Sequence, residues 1–204
     1  MPIERYTNKL SFLLSNSGSV VRKTVESEKE VMSMVNVADL EARVKALEDI
    51  EAIKRLKYKY FRCIDNKLWD EMAGCFIEDA TTSYSDGKYR FKGTDEIMQF
   101  MKKRLGQDSS IGIHQGHHPE IELTSDTTAR GTWAFYVYMI DKQERSGFRM
   151  AGFYHDEYAR QKGEWKIKST GFTRIFEEIW DRDESRSLKL IASRGGGDHS
   201  MEGR

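Results

Sequence analysis

The chain has 204 residues, of which 38% are hydrophobic and 11% aromatic, enough for one well-buried domain with tails and too few for two comfortable domains. Lysine and arginine (33) balance aspartate and glutamate (33), so a formal net charge of +0 provides no overall field that would attract nucleic acid or an anionic membrane. No apolar run approaches the roughly 20 residues that a membrane helix needs. We therefore expect a cytoplasmic protein whose partners are recognised at local sites.

The two cysteines, Cys63 and Cys75, both lie in apolar-rich segments. They form no CxxC pair, and Leu10 to Leu14 is too short and too serine-flanked to be the core of a secretory signal. The sequence predicts buried free thiols in a reducing compartment rather than a disulfide or a metal site.

Both ends of the chain differ in composition from its middle. Residues 1–36 are polar and lack sustained periodicity, and residues 181–204 run from a charged cluster into three consecutive glycines. We expect poorly ordered extensions on either side of one domain at residues 37–180. Because basic side chains exceed acidic ones in residues 1–25, a transit-like leader is an alternative interpretation of the first extension.

The domain begins with a predicted amphipathic helix. From Leu40 to Tyr60, apolar residues recur every three or four positions with glutamate and lysine between them, and Asp39 is a suitable N-cap. A coiled coil is the competing interpretation, but the pattern is short. We expect the C-terminal half of this helix to pack on the core and to end at Asn66-Lys67.

Shorter elements follow. Residues 68–76 carry a second, short amphipathic pattern, and residues 80–91 form a predicted hairpin around Asp86-Gly87. Gly93-Thr94-Asp95 then begins a helix with apolar residues from Ile97 to Leu105.

The remainder of the domain is predicted to be strands. Four long segments, residues 111–123, 128–140, 148–160 and 165–176, are separated by short polar turns. Such an order predicts an antiparallel meander. With the helices gathered first, the fold class is α+β, with one face of the sheet packed on the helices.

Alternation in these strands bears on the candidate histidines. The odd-numbered residues of 128–140 are mostly apolar and predict the buried face. In the preceding strand, Ile121 and Leu123 share parity with His117, which favours His117 rather than His114 as the inward histidine. One bulge at Gly112, Gly116 or Pro119 would reverse this parity and turn His114 inward.

Several short motifs occur in a characteristic order. They are Tyr60-Phe61-Arg62-Cys63-Ile64-Asp65, Trp69-Asp70, Phe76-Ile77-Glu78-Asp79-Ala80, Ile113-His114-Gln115-Gly116-His117, Ser125-Asp126-Thr127-Thr128-Ala129 and Gly163-Glu164-Trp165-Lys166-Ile167. Over about residues 46–178 this order resembles the SnoaL-like branch of the nuclear transport factor 2-like superfamily, which includes scytalone dehydratase, bile-acid 7α-dehydratase and hexachlorocyclohexane dehydrochlorinase. The resemblance implies a cone-shaped, barrel-like fold in which helices pack on a curved, mainly antiparallel sheet around one pocket.

The resemblance also implies roles for particular residues. His114 matches the family's general base, Asp65 the carboxylate that orients it, and Tyr60 and Tyr84 the pocket tyrosines. A neutral imidazole beside a carboxylate can abstract a proton next to a carbonyl, and phenols can stabilise the charge that develops. Arg174 is the loosest match, to a basic residue near the end of the last strand.

Other residues are expected to bind substrate without taking part in proton transfer. The predicted substrate-binding wall consists of Trp69, Phe76, Trp133, Phe135 and Phe153, together with His117 and Arg174. The strand at residues 128–140 contains no histidine to match the second histidine of scytalone dehydratase, which leaves the exact mechanism open. A metal site at His114, His117 and His118 is disfavoured, because neighbouring strand residues point to opposite faces.

The function expected from these residues is a cofactor-independent, dehydratase-type lyase acting on a hydrophobic cyclic small molecule, with no metal and no organic cofactor. Two alternatives stay open: a non-catalytic binding or oligomerisation domain of the same fold, and an isomerase or cyclase that uses the same base. We expect no nucleic acid or membrane partner. Self-association is expected, with a trimer favoured over a dimer.

Overall fold

The computed structural model of the protein describes residues 37–185 and 187–193. The predicted extension at residues 1–36 and the end of the predicted tail, residues 194–204, lie outside this part. The chain divides into two compact units, and the boundary falls between Leu47 and Glu48. All the site residues discussed below belong to the second unit.

In the part of the chain that the structure describes, three helices precede or interrupt the strands: α1 (Val37–Asn66), α2 (Trp69–Ala73) and α3 (Thr94–Leu105). From Glu48 onward, α1 buries Ile53, Leu56, Tyr60 and Ile64, whose spacing of three or four residues places them on one face. The expectation that the C-terminal half of this helix packs on the core is therefore confirmed.

The sheet contains six strands, β1 (Phe76–Tyr84), β2 (Tyr89–Lys92), β3 (Ser110–Leu123), β4 (Thr128–Asp141), β5 (Ser146–Gln161) and β6 (Glu164–Asp181). Their order is β2-β1-β6-β5-β4-β3, so β2 and β3 are edges and the sheet is not closed. The predicted antiparallel meander of β3 to β6 and the α+β class are confirmed. The parallel pairing of β1 with β6 makes the sheet mixed.

The segment before the hairpin is the main local difference from the prediction. Phe76 begins β1 and does not extend the short helix, which covers only Trp69–Ala73. Phe76 and Ile77 are adjacent, apolar and both buried. Short helices and buried strands share this pattern, so the sequence did not distinguish between them here.

A bulge in β3 decides which histidine faces inward. Between His117 and Glu120 the strand advances three residues, while its partner β4 advances two, from Ala134 to Thr132. The extra residue lies at His118-Pro119, and the positive φ of 47° at His118 is typical of such irregularities. Parity is reversed across the bulge, as the sequence allowed.

As a result, His114 and Ile121 lie on the same face of the sheet. His114 is paired with the buried Val137, and Ile121 is paired with Gly131, so both lie opposite odd-numbered positions of β4. His117 is exposed on the other face. The simple alternation that favoured His117 is wrong because it assumed an unbroken strand.

Candidate active site

The site centres on a contact between the end of α1 and the edge strand β3. Nδ1 of His114 lies 2.7 Å from Oδ1 of Asp65, and the backbone N–H of His114 lies 3.1 Å from both carboxylate oxygens. An edge strand has backbone N–H groups without a strand partner, and Asp65 satisfies one of them. The carboxylate is therefore fixed to the residue whose ring it contacts.

This geometry assigns the two ring nitrogens of His114. Asp65 is an acceptor, so Nδ1 carries the proton in the neutral ring and Nε2 holds the free lone pair. The imidazole is shielded, with 8% of its side chain exposed, while Asp65 is 15% exposed. Asp65 lies in the last turn of α1, where the helix dipole also favours positive charge, so an imidazolium formed at His114 is stabilised twice.

His114 lines a cavity of about 110 Å³ that is partly open to solvent. Four tyrosines contribute to the wall: Tyr60, Tyr84, Tyr89 and Tyr154. The apolar part of the wall comes from α3 and from the inner face of β5 and β6, and it includes Phe100, Met101, Phe148, Met150 and Phe172. The imidazole of His114 thus borders a small aromatic chamber whose wall is rich in hydroxyl groups.

The chamber keeps its phenols protonated. Burial raises the pKa of Tyr60, Tyr84 and Tyr154 above the ordinary value, and the nearby carboxylate of Asp156 acts in the same direction. Tyr60 partly opposes the rise in the pKa of Tyr84. The contact between the two residues nevertheless falls short of full hydrogen-bond geometry, so the buried Tyr84 hydroxyl has no hydrogen-bond partner among the described residues. Neutral phenols can donate to an oxygen of a bound molecule.

A buried ion pair lies behind this wall. Nζ of Lys57 is 2.7 Å from Oδ2 of Asp156, and both side chains are 0% exposed. Asp156 also accepts hydrogen bonds from the hydroxyls of Tyr158 (2.7 Å) and Thr170 (2.6 Å), and the Tyr158 oxygen accepts from the Trp133 indole (2.9 Å). Two hydroxyl donors and one ammonium group converge on one carboxylate, which is the arrangement that stabilises a buried negative charge.

Lys57 connects this network to the chamber. Its ammonium lies 3.9 Å from the ring centroid of Tyr154 and 4.8 Å from that of Tyr60. Burial lowers the pKa of Lys57, and Asp156 opposes that effect. The cation is held against the rings of two tyrosines that also line the cavity.

Some predicted wall residues lie one layer behind the cavity. Phe76 and Phe135 are both buried. The ring centroid of Phe76 lies 6.0 Å from that of Tyr60, and the ring centroid of Phe135 lies 4.8 Å from that of Tyr154. Trp133 is fully buried in the Asp156 network, and Trp69 is partly buried against the core. These side chains support the wall and do not form it.

Three other predicted site residues lie elsewhere. His117 is exposed on the outer face, and Phe153, 41% exposed, pairs with Thr173 on that face. Arg174 is paired with Asp86, which accepts from its backbone N–H (3.0 Å) and its guanidinium, and with Glu177. The predicted roles of these residues in substrate binding are corrected. His117 and Phe153 lie on the outer face of the sheet, and Arg174 is bound by Asp86 of a neighbouring turn.

Sequence reasoning missed Tyr154, Tyr89, Phe100 and Arg104. Tyr154 could have been found from the β4–β5 turn, because a pairing of Asp141 with Ser146 places odd residues of β4 opposite even residues of β5. Trp133, assigned inward, is then opposite Tyr154 and not Phe153. The choice of Phe153 followed hydrophobicity alone, which is ambiguous where tyrosine and aspartate are buried.

A larger open cleft of about 700 Å³ reaches Asp65 from outside. It is lined by Ile113, Tyr138 and Lys142 among others, and its wall does not include His114. Proton transfer requires the free nitrogen of the imidazole, so the smaller chamber, whose wall includes His114, is the better candidate for chemistry.

Within residues 37–185 and 187–193, histidine, cysteine and acidic side chains do not gather in threes at metal-binding distance. In the same part of the chain, no helix combines the length and the apolar composition needed to span a bilayer. Cys63 and Cys75 are both buried free thiols, as predicted. Burial raises the pKa of the Cys75 thiol to about 11.

An open mixed sheet packs with helices, and together they line a chamber beside a His–Asp pair. These features define a class of α+β domains with a pocket for a small molecule. A family model for the SnoaL-like domain matches residues 45–171. The chain belongs to the SnoaL-like domain family.

Solved structures agree with this fold. A candidate scytalone dehydratase from Novosphingobium aromaticivorans matches with a TM-score of 0.63 and 22% identity, over 67% of this chain and 90% of that one. The hexachlorocyclohexane dehydrochlorinase LinA-type3 from Novosphingobium barchaimii gives 0.61 and 18%, over 68% and 94%. An NTF2-like protein with a cystatin-like fold from Novosphingobium aromaticivorans gives 0.59 and 18%, over 70% and 92%. At these identities the similarity shows the fold alone.

Proposed function

We propose that the protein is a cofactor-independent lyase that eliminates water, or a comparable leaving group, from a small cyclic molecule. The observation that carries the proposal is the 2.7 Å contact between His114 Nδ1 and Asp65 Oδ1 beside a chamber of neutral phenols. The dehydratase and dehydrochlorinase names of two structural neighbours support the same reaction type.

The proposed reaction begins with proton abstraction. Nε2 of His114 takes a proton from the carbon next to a carbonyl, and the negative charge of Asp65 stabilises the imidazolium that forms. The electron pair of the broken C–H bond moves toward the carbonyl oxygen. General-base catalysis of this kind contributes roughly 100- to 10,000-fold to the rate.

The tyrosines complete the reaction. One phenol donates a hydrogen bond to the carbonyl oxygen, where charge accumulates, and another donates its proton to the departing hydroxide and is then reprotonated by the imidazolium of His114, which restores both groups. Tyr60, Tyr84 and Tyr154 line the chamber and are candidates for these two roles. The carbon–oxygen bond breaks, a carbon–carbon double bond forms, and water leaves.

The size of the chamber limits the substrate. A cavity of about 150 Å³ binds benzene in an engineered protein, and the chamber here measures about 110 Å³. The matching ligand is therefore no larger than a single six-membered ring, with its substituents directed to the opening.

A test follows from this size and chemistry. The β-hydroxyketone 3-hydroxycyclohexanone should be converted to 2-cyclohexenone, with a rise in ultraviolet absorbance from the conjugated enone. We expect His114→Ala to lower the rate at least about 100-fold while its circular dichroism stays unchanged. His155→Ala is the matched control, because His155 is exposed, its Nε2 lies 3.2 Å from the Thr173 hydroxyl, and its side chain is not part of the chamber wall.

Full enone formation by a folded His114→Ala protein would rule out the proposal. Exchange of the ring α-protons with deuterated solvent, followed by NMR, separates the alternatives that share the base. Exchange without enone formation would indicate an isomerase or cyclase, and absence of both would indicate a binding domain.

Self-association stays a prediction. The outer face of the sheet carries Phe153 and Phe176, each 41% exposed, beside the half-buried Tyr136 and Tyr138. We propose that a second copy covers this face, with a trimer favoured as before. Light scattering of the wild type and of Phe153→Lys checks it: a monomeric wild type would contradict the proposal.

A further inference from the structure

The wall of the chamber contains one permanently charged side chain within the described residues, Arg104. It lies in the last turn of α3, four residues after Phe100 and three after Met101, both of which also line the chamber. Residues with this spacing share one helix face. The guanidinium stem therefore extends along the same surface as the aromatic wall.

Arg104 differs from the arginine predicted from the sequence. Arg174 is held by Asp86 and Glu177. Within residues 37–185 and 187–193, no ion pair or hydrogen bond involves the Arg104 side chain, which is exposed. An exposed cation in the wall of a cavity, with no partner among the described residues, is available to a ligand.

Helix stability alone does not explain a cation at this position. Basic residues in a last turn complement the helix dipole, and α3 has three of them: Lys102, Lys103 and Arg104. The two lysines supply that effect without contributing to the chamber wall. Arg104 thus differs from the two lysines because its side chain is part of the chamber wall.

We propose that Arg104 binds an anionic oxygen group of the ligand, so that the preferred ligands are single-ring compounds with a carboxylate directed to the opening. This inference rests on the proposed function, because it concerns the same chamber. The ring occupies the aromatic interior near His114, and the planar guanidinium pairs with the carboxylate in two parallel hydrogen bonds. Arg104 is a binding residue and has no role in proton transfer.

The probes are benzoate and benzamide, which have the same ring and nearly the same shape but differ in charge. Affinity is measured by isothermal titration calorimetry on the full chain. We expect benzoate to bind more tightly than benzamide, and Arg104→Met to weaken benzoate about five- to tenfold, the range for a charge-assisted pair that is partly exposed. Benzamide affinity should not change.

Two further variants serve as controls. Lys103→Met removes a neighbouring charge of the same helix turn that is not part of the wall, and it should leave the benzoate affinity within about twofold, because exposed charges are screened by salt. Arg104→Lys keeps the charge but loses the planar fork, so it should recover part of the benzoate affinity.

Three results would overturn the inference: equal affinities for benzoate and benzamide in the wild type, equal losses for both ligands in Arg104→Met, or no binding of benzoate. The outcome is separable from that of the proposed function. If Arg104→Met loses the preference for benzoate while His114→Ala forms enone normally, the ligand class stands and the lyase assignment fails. If His114→Ala abolishes enone formation while Arg104→Met keeps the preference for benzoate, the lyase assignment stands and the inference of a carboxylate ligand fails.

Discussion

Two acid–base pairs, one fully buried and one partly buried, lie on the inner side of the same sheet, and they differ in what surrounds them. Lys57 and Asp156 are fully buried, and the carboxylate accepts two hydroxyl hydrogen bonds in addition to the ion pair. His114 and Asp65 lie against a cavity, and one ring nitrogen keeps a free lone pair. The first pair is enclosed by protein groups, whereas the second has capacity left for a ligand.

The difference shows which buried polar groups are candidates for chemistry. Both pairs are largely shielded from solvent and both contain a carboxylate, so these two properties alone do not identify a reactive pair. Of the two pairs, only that of His114 adjoins a cavity and keeps the lone pair of an imidazole free. We infer that the Lys57 pair fixes the tyrosine wall and the His114 pair acts on the ligand.

The largest effect should come from breaking the enclosed pair. Lys57→Met leaves Asp156 charged and unpaired in the interior, and we expect a loss of about 3–5 kcal/mol in the free energy of unfolding. Lys57→Met combined with Asp156→Asn removes both charges and should recover at least half of that loss. Urea denaturation measures both. A single variant that is as stable as the wild type would remove the contrast between the two pairs.

Asp65→Asn tests the open pair through activity. The amide can still accept from the backbone N–H of His114, but it no longer stabilises the imidazolium or fixes the proton on Nδ1. We expect turnover of 3-hydroxycyclohexanone to fall about 100-fold, which corresponds to about 2.7 kcal/mol of transition-state stabilisation. The unfolding midpoint in urea should change little. A large loss of stability with unchanged turnover would make Asp65 a structural residue.

Tyr84→Phe should separate stability from chemistry at one position. The buried Tyr84 hydroxyl lacks a hydrogen-bond partner among the described residues, so its removal should raise the free energy of unfolding by about 1 kcal/mol. Turnover should fall if this hydroxyl meets the substrate. Thermal unfolding and enone formation, measured on the same sample, provide the comparison. A destabilised variant would show that the hydroxyl has a protein partner after all.

Alkaline pH should have the smallest effect. Burial raises the pKa of Tyr60, Tyr84 and Tyr154 in the folded protein, so above about pH 10 the unfolded chain releases its phenolic protons first. The stability that these groups contribute is complete below that pH and decreases above it. Urea midpoints between pH 8 and pH 11 should show a shallower decrease for Tyr154→Phe than for the wild type. Identical slopes would mean that Tyr154 ionises freely in the folded state.

The sequence by itself determined the order of elements and the chemical groups. Hydrophobic periods of about 3.6 and 2 residues identified α1, α3 and the meander, because each period depends only on which side of a local element meets the core. Side-chain identities similarly established that a carboxylate, an imidazole and phenols were available at Asp65, His114, Tyr60 and Tyr84.

Only the tertiary structure decided which of these groups share a cavity. The bulge at His118-Pro119 shifts parity by one residue, and the β4–β5 register brings Tyr154 inward in place of Phe153. The Lys57–Asp156 pair joins residues 99 positions apart in the sequence (156 − 57), and no local pattern records such a contact. Long-range pairing is a property of the whole fold, whereas a period is a property of one segment.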